Sequence, residues 1–479
     1  MEACFADHYP GIKDRVHYRL NGGLSQDQMQ LMTERFTQIL DEVGMEVESQ
    51  AARAFLNRRP GFCVQGDRVR IAPELTRDCI AHSRSRPKPE TKSEADLPWR
   101  LEMLSGYPTH FVDWRDGRMK PVTTDRLIEM TKLVDALSPR GVIGSAPAVL
   151  QDAPPMVRGI RTFMIGARHC RSGGDMPATT VEDTPWVERL FEASGKPFGL
   201  GVYVINPLRL SGNTVDQMLM LRGKRYQVGV GNMPMMGVTA PITIAGAFVM
   251  ALAAIWGGYA IVREITAAHD IGVECRVWPV NMKNLDLLYG RPEMALSDLM
   301  SSQLFAFFGW GRPNCDAFHS AALFPGREAN AQRAAYGMAM ALAGHRTFRF
   351  GGLLGEDMVF SAEQLLADLG IMDYLKYVAD GVEFTEDALA MDAIAAVGPS
   401  GSYIGEEHTV KRVRTERFEQ PGWVSESLSS WQENQTPLWE AQIRGEIESL
   451  INSHDYYIDR DKEKPLEAIA KEAEQALLR

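Results

Sequence analysis

The sequence predicts an α/β protein, a (β/α)8 TIM barrel with helical N- and C-terminal extensions, and three observations carry that expectation. Between about residues 105 and 380, eight short apolar runs alternate with eight helical periods, the repeat of βα units in a closed barrel. The flanks differ: 1–104 reads as helical with one small hairpin, and 381–479 as helical and charged. Tyr107–Gly117, at the first expected strand, holds no GxGxxG, which disfavours the competing doubly wound open sheet.

The elements follow in order. Ser25 caps a helix whose apolar stripe is Met29, Met32, Phe36, Ile39, Leu40 and Val43, and Gly44 ends it. Phe62–Ile71 reads as a hairpin turning at Gly66-Asp67, and the polar Ser83–Pro98 as a linker. The barrel strands are expected to begin near His110, Gly141, His169, Phe198, Gln227, Val273, Pro313 and Thr347. Helices are expected over 124–136, 154–166, 182–194, 213–223, 241–269, 293–308, 327–343 and 361–378. Beyond 380, Gly398–Thr409 (GPSGSYIGEEHT) interrupts the helical pattern as a packing bend or a lid.

Composition excludes several classes. Of 479 residues, 45% are apolar and 24% charged, which fits a globular chain and neither a disordered nor a collagenous one. The formal charge of −11 argues against nucleic acid and against anionic membrane surfaces. Six scattered cysteines without a CxxC pair, and a start without a basic-then-apolar leader, lead us to expect a reduced, cytoplasmic protein. The uncharged run Ile242–Val262 is long enough to span a bilayer. It stands alone, is rich in Ala and Gly, and lacks a clear charge asymmetry at its flanks, so we read it as a helix buried between a barrel and a neighbouring subunit.

In a barrel the chemistry sits at the C-terminal ends of the strands. Those ends carry Asp113, Trp114, Ser145, Arg171, Ser172, Asp175, Tyr203, Asn206, Asn232, Met233, Trp278, Asn281, Asp316, His319, Phe350 and Glu356. The set is poor in paired carboxylates, and the chain has no GxSxG or HExxH. Tyr203, Trp278, Phe318 and Phe350 either pack the core or form an aromatic cage for a quaternary ammonium, held by cation–π attraction. GNMPMMG, with Met233 and Gly237, is either core filling or a soft docking surface. Cys315 and His319, with His169, Cys170 and Cys275, leave a zinc site open as an alternative.

Several segments together resemble the trimethylamine methyltransferase family over nearly the whole chain. They are LSQDQMQLMTERFTQILDEVGMEVES, GDRVRIAPEL, PMMGVTAPITIAGAFVMALA, EQLLADLGI and VGPSGSYIGEEHT. The resemblance implies a (β/α)8 enzyme that moves a methyl group from a methylated amine to the cobalt of a separate corrinoid protein. Founding members carry pyrrolysine in the seventh-strand region; here every residue is standard, and Cys315–Ser320 stands nearest that position. This departure points to the branch that uses quaternary amines such as glycine betaine.

That reading assigns roles. Cobalamin is supplied by a corrinoid-binding partner, with no metal of the chain's own. His319 and Asp316 are the catalytic candidates, and the four aromatic residues named above are the candidate cage. Arg171 and Arg312 are candidates for a clamp on a betaine carboxylate, with Arg349 a third that faces opposite to Phe348 and Phe350. Asn206, Asn232, Met233, Asn281, Gly237 and His408 are the cofactor-side candidates, on loops expected to border the mouth. A homo-oligomer is expected. The alternatives are a zinc-dependent corrinoid methyltransferase and a non-catalytic betaine-binding protein.

Overall fold

The computed structural model describes residues 15–86, 97–103, 106–176, 180, 182–224, 226–419, 426–435 and 437–479. The predicted Ser25 cap is present and is one half of a capping box. The Ser25 hydroxyl accepts from the Gln28 backbone N–H, and the Gln28 side chain accepts from Ser25 N–H, opening the Gln26–Glu42 helix. Met29, Met32, Phe36 and Leu40 are buried on one face. Gly44 ends the helix at φ +73°, where a Cβ would lie 2.6 Å from the Val69 carbonyl oxygen. The hairpin Phe62–Gln65 with Arg68–Ile71 turns at Gly66, as expected.

Two three-stranded parallel sheets carry the centre of the α/β fold. In one, Gln227–Asn232 lies between Gly199–Val204 and Ile271–Glu274; in the other, Arg100–Glu102 lies between Thr347–Arg349 and Val142–Ile143. The sheets are small, and among the described residues neither closes on itself.

The first expected strand is displaced. His110–Val112 forms a hairpin with Met119–Pro121 and pairs with Val359–Ser361, in a separate four-stranded sheet. The chain turns back through Gly117 at φ +70°, with Asp113 N–H donating to the Arg118 carbonyl. Its place beside Val142–Ile143 is taken by Arg100–Glu102, ahead of the expected boundary at 105. Only Leu101 of that strand is fully buried, so the three residues give no apolar run to read.

HCRSGG and PNCDAF form no ladder strands. His169 ends the Arg158–His169 helix, and Pro313 has no N–H to donate. Both segments still lie against the sheets: Ser145 Oγ donates to the Gly173 carbonyl, and Arg349 N–H to the Cys315 carbonyl.

The apolar run forms the Ile244–Thr266 helix, buried among the Gln26–Glu42, Pro73–Ser85 and Gly212–Met220 helices and the Gln227–Asn232 strand. A helix covered on several sides has no polar face to show. The C-terminal helices Trp439–Ser453 and Arg460–Leu477 fold back onto Thr124–Ala136 and Arg158–His169. Trp114 Nε1 donates to Glu448 at 2.7 Å, and Arg161 pairs with Glu474 at 3.0 Å.

Candidate active site

Strand register sets one inner layer of side chains. Leu200, Val202 and Val204 are buried in the apolar cluster around the Ile244–Thr266 helix, so Tyr203 faces the other way. Tyr203 pairs with Gly231, and Gly231 with Glu274, which puts all three in one row. A Cβ at Gly231 would lie 2.9 Å from the Tyr203 ring, so glycine lets that ring lie along the strand. In the second sheet Leu101 and Phe348 are buried outward, and the register row is Ile143, Glu102, Arg349.

An ion-pair network joins the rows. Arg349 Nη1 donates to Glu274 Oε1 at 2.9 Å, and the Tyr203 hydroxyl donates to the other oxygen of Glu274. Arg349 Nε stands 3.8 Å from Asp316 Oδ1. Arg276 is 1% exposed and contacts Asp316, with Asp298 at 3.3 Å and Glu274 at 3.6 Å. Tyr336 donates its hydroxyl to Asp298 at 2.5 Å. Three carboxylates, Glu274, Asp298 and Asp316, thus meet two guanidiniums, and a fourth, Glu102, stands in register beside Arg349 without an ion pair among the described residues. Burial opposes ionisation of Glu274, but Arg276 and Arg349 outweigh it and hold the carboxyl below its usual range. The Tyr203 phenol is pushed up by burial and by the Glu274 carboxylate.

His319 stands beside this layer in an aromatic stack. Tyr289 lies on one face at 3.5 Å between ring centroids and Phe350 on the other at 4.2 Å. Asp357 Oδ1 is 2.6 Å from His319 Nε2, and neither ring nitrogen makes a hydrogen bond of good geometry to a described residue. Burial lowers the His319 pKa, with Asp357 opposing, so the ring is neutral at pH 7. Three non-glycine residues around it hold positive φ: Phe350 at +74°, Glu356 at +54° and Asp357 at +70°. Such backbone costs of order 1–3 kcal/mol per residue and persists where the surroundings over-determine it.

Of the sequence candidates, His319, Asp316, Tyr203, Phe350 and Arg349 come together here, and Trp278 borders them with Arg276 5.8 Å from its ring. Others lie elsewhere. Phe318 is 0% exposed and packs outward, edge-on to Phe348 at 5.3 Å and beneath Gly337. Strand alternation would put it on the same face as Asp316, two residues before it, but this segment turns, with His319 N–H donating to the Asp316 carbonyl. Arg171 is held by Asp135, with Asp455 at 3.5 Å, at the C-terminal end of the Thr124–Ala136 helix. Arg312 donates to the Gly344 carbonyl at 3.0 Å, just past the Arg327–Leu342 helix. Both arginines therefore stand at helix C-termini, where strands begin, and form no clamp with the inner layer.

Asn232 is buried with its Nδ2 on the Ala251 carbonyl, tying strand to helix. Asn206 precedes a cis proline and donates to the Val204 carbonyl, while Asn281 Oδ1 accepts from Lys283 N–H within a turn. Met233 packs on the apolar cluster, and Gly237 at φ +82° lies under Ile242 and Met282. His408 bonds the Asp387 carbonyl, next to Arg412 on Glu383. Its loop thus lies beside the Val382–Glu383 strand, past the end of the Ala362–Asp380 helix, away from the inner layer. Among the described residues no group of three or more His, Cys, Asp or Glu is set to hold a metal, so Cys315, Cys275, Cys170 and His169 do not converge.

Sequence reasoning missed Glu102, Glu274, Arg276, Tyr289 and Asp357. The signal for two of them was present: Glu274 and Arg276 alternate with buried residues in an otherwise apolar run.

Comparison with known proteins bears on this arrangement. A model of the trimethylamine methyltransferase (MTTB) family matches residues 195–475. A glycine betaine methyltransferase of Desulfitobacterium hafniense (strain Y51) is 24% identical over 417 residues, covering 82% of this chain and 85% of that protein. The trimethylamine methyltransferase MttB of Desulfitobacterium hafniense (strain DSM 10664 / DCB-2) is 22% identical over 425 residues, 82% of each chain. The crystal structure of the Methanosarcina barkeri monomethylamine methyltransferase MtmB aligns at a TM-score of 0.48 with 11% identity, over 91% of this chain and 89% of that one. With the family match running through the Tyr203, Glu274, Asp316, His319 and Arg349 positions and over more than half of its length, the chain belongs to the trimethylamine methyltransferase family of enzymes.

Proposed function

We propose that this protein moves a methyl group from a quaternary amine, glycine betaine or a similar betaine, to the cob(I)alamin of a partner corrinoid protein in the cytoplasm. The observation that carries the reading is the inner layer itself. It sets an excess of carboxylates beside the rings of Tyr203 and Phe350, which suits a cation that cannot donate a hydrogen bond. In support of a barrel, Cys315 and Asn314 accept from Arg349 and Arg276, so 313–318 bridges the two parallel sheets as a seventh strand would.

Among the described residues, the cysteines near the layer are poor nucleophiles. Burial pushes the Cys275 thiol up to about 12 and the Cys315 thiol well above its ordinary value. The corrinoid, carried by its own protein, supplies a cobalt nucleophile. What this chain does is position: Tyr203, Glu274 and Arg349 form a fixed wall, and His319, neutral and stacked, orients without taking a proton. The departing amine is neutral, so no acid is required of the protein for that bond to break.

The rim also fits a docking partner. Ile205, Val238, Ile242, Met282, Leu323 and Met358, all on loops that follow strands or the segment 313–318, are exposed and apolar. The test is a panel of betaines and methylated amines with the purified protein and reduced cobalamin, followed at the cobalt absorbance. Methyl transfer from at least one quaternary amine is expected. Saturable betaine binding with no transfer to free or protein-bound corrinoid would make this a binding protein instead.

A further inference from the structure

We propose that Glu102 is the counter-ion of the substrate's quaternary nitrogen, seated over a hollow that three glycines leave open in the inner layer; this rests on the function proposed above. The first observation is a difference among the four carboxylates. Glu274 is held by Tyr203 and Arg349, Asp316 by Arg276, and Asp298 by Tyr336 and Arg276. The Glu102 side chain takes no hydrogen bond or ion pair with any described residue, although it sits in the centre of its sheet, partly buried and in register with Arg349. A carboxylate drawn out of water without a partner is costly, and a bound cation offsets that cost. Burial, then the Asp175 and Glu274 charges against that of Arg349, push its pKa up.

The second observation is room. Gly201, Gly229 and Gly272 are paired across the three strands, one step before Tyr203, Gly231 and Glu274 and on the same face. None of the three has positive φ, so the backbone does not demand glycine. A Cβ on Gly201 or Gly229 would meet nothing nearer than 3.8 Å, and on Gly272 nothing nearer than 3.6 Å. Neighbours therefore do not demand glycine either. Three adjacent strands give up their side chains at one level, and the space lies under the Tyr203–Glu274 row.

A fully methylated ammonium has no N–H. It can be recognised only by ring faces and by an opposite charge at van der Waals distance. Arg349 and Arg276 are already engaged by carboxylates, so the layer selects for the cationic head more than for an acid group on the substrate.

The test is calorimetric titration of the full-length protein with tetramethylammonium chloride, which needs no turnover. Wild type is expected to bind saturably, and Glu102→Gln to bind at least tenfold more weakly without a lower Tm. Gly229→Leu, which fills the hollow, is expected to abolish binding. Wild-type affinity should rise with pH through the titration of Glu102, among Arg349, Glu274 and Asp175, and this dependence should vanish in Glu102→Gln. Equal affinity in wild type and Glu102→Gln, unimpaired binding by Gly229→Leu, or no saturable binding by wild type would each overturn the proposal. Turnover with cob(I)alamin is scored separately. Transfer that persists in wild type while tetramethylammonium binding ignores Glu102 refutes this inference and leaves the proposed function standing.

Discussion

A buried histidine between two rings is an expensive object, and its cost is measurable as pH dependence. Burial lowers the His319 pKa, and it lowers that of His169 from 6.5 to about 4, with Lys132 adding to the effect. The unfolded chain then binds more protons than the native one between those values, so stability rises with pH across the window. Stability is expected to be complete above about 6.5 and to fall as pH drops toward 4; chemical denaturation at several pH values checks it. His169→Gln should flatten that slope, and unchanged slopes in the variant would exclude His169 as its source. At Tyr203 two variants separate ring from hydroxyl. Tyr203→Phe keeps the ring and loses only the bond to Glu274, so a change of a few-fold in KM is expected. Tyr203→Ala should cost about tenfold or more in kcat/KM, near 1.4 kcal/mol. Tyr203, Asp316, His319 and Phe350 were legible as strand-end residues, and Arg349 by alternation with its phenylalanine neighbours. Glu102 was not, because the strand that carries it is three residues long with polar flanks.

Elements were legible where periodicity was long. The Gln26–Glu42 helix showed its cap, stripe and stop in sequence because each is a local device. The first barrel strand was misassigned for a physical reason: Arg100–Glu102 offers a single apolar residue, His110–Val112 offers two, and only long-range pairing decides which of them lies beside Val142–Ile143. The Ile244–Thr266 helix shows the opposite situation, an unmistakable element whose surroundings sequence could not supply. At Gly257 it lies so close to its neighbours that a Cβ would fall 2.1 Å from Met45 Sδ and 2.8 Å from Leu40. Gly257→Val is therefore expected to destabilise the protein by about 2 kcal/mol through overpacking. Denaturant midpoints measure this, and KM should stay at the wild-type value, because the contact lies on the outer side of the sheet.

At the scale of the molecule, the helical C-terminal extension is tied to the α/β region by contacts distant in sequence. The C-terminal helices close over Thr124–Ala136 and Arg158–His169 through Trp114–Glu448 and Arg161–Glu474, contacts that span more than 300 residues of sequence and leave no local signature. Their placement leaves the strand-end loops uncovered, with Ile242, Met282 and Leu323 exposed around the inner layer. Exposed apolar side chains gathered at one end are expected to be covered by a partner. On the function proposed above, free cobalamin needs only the inner layer, whereas a corrinoid protein also docks on the rim. Met282→Glu combined with Leu323→Glu is thus expected to leave methyl transfer to free cobalamin within about twofold. The same pair should raise the KM for the corrinoid protein by about tenfold or more, since each charge must be desolvated in an apolar contact. Both rates are read at the cobalt absorbance with the amine saturating. Equal losses with the free and the protein-bound corrinoid would place these residues in the site rather than on the docking face, and no loss with either would remove the rim from the interface.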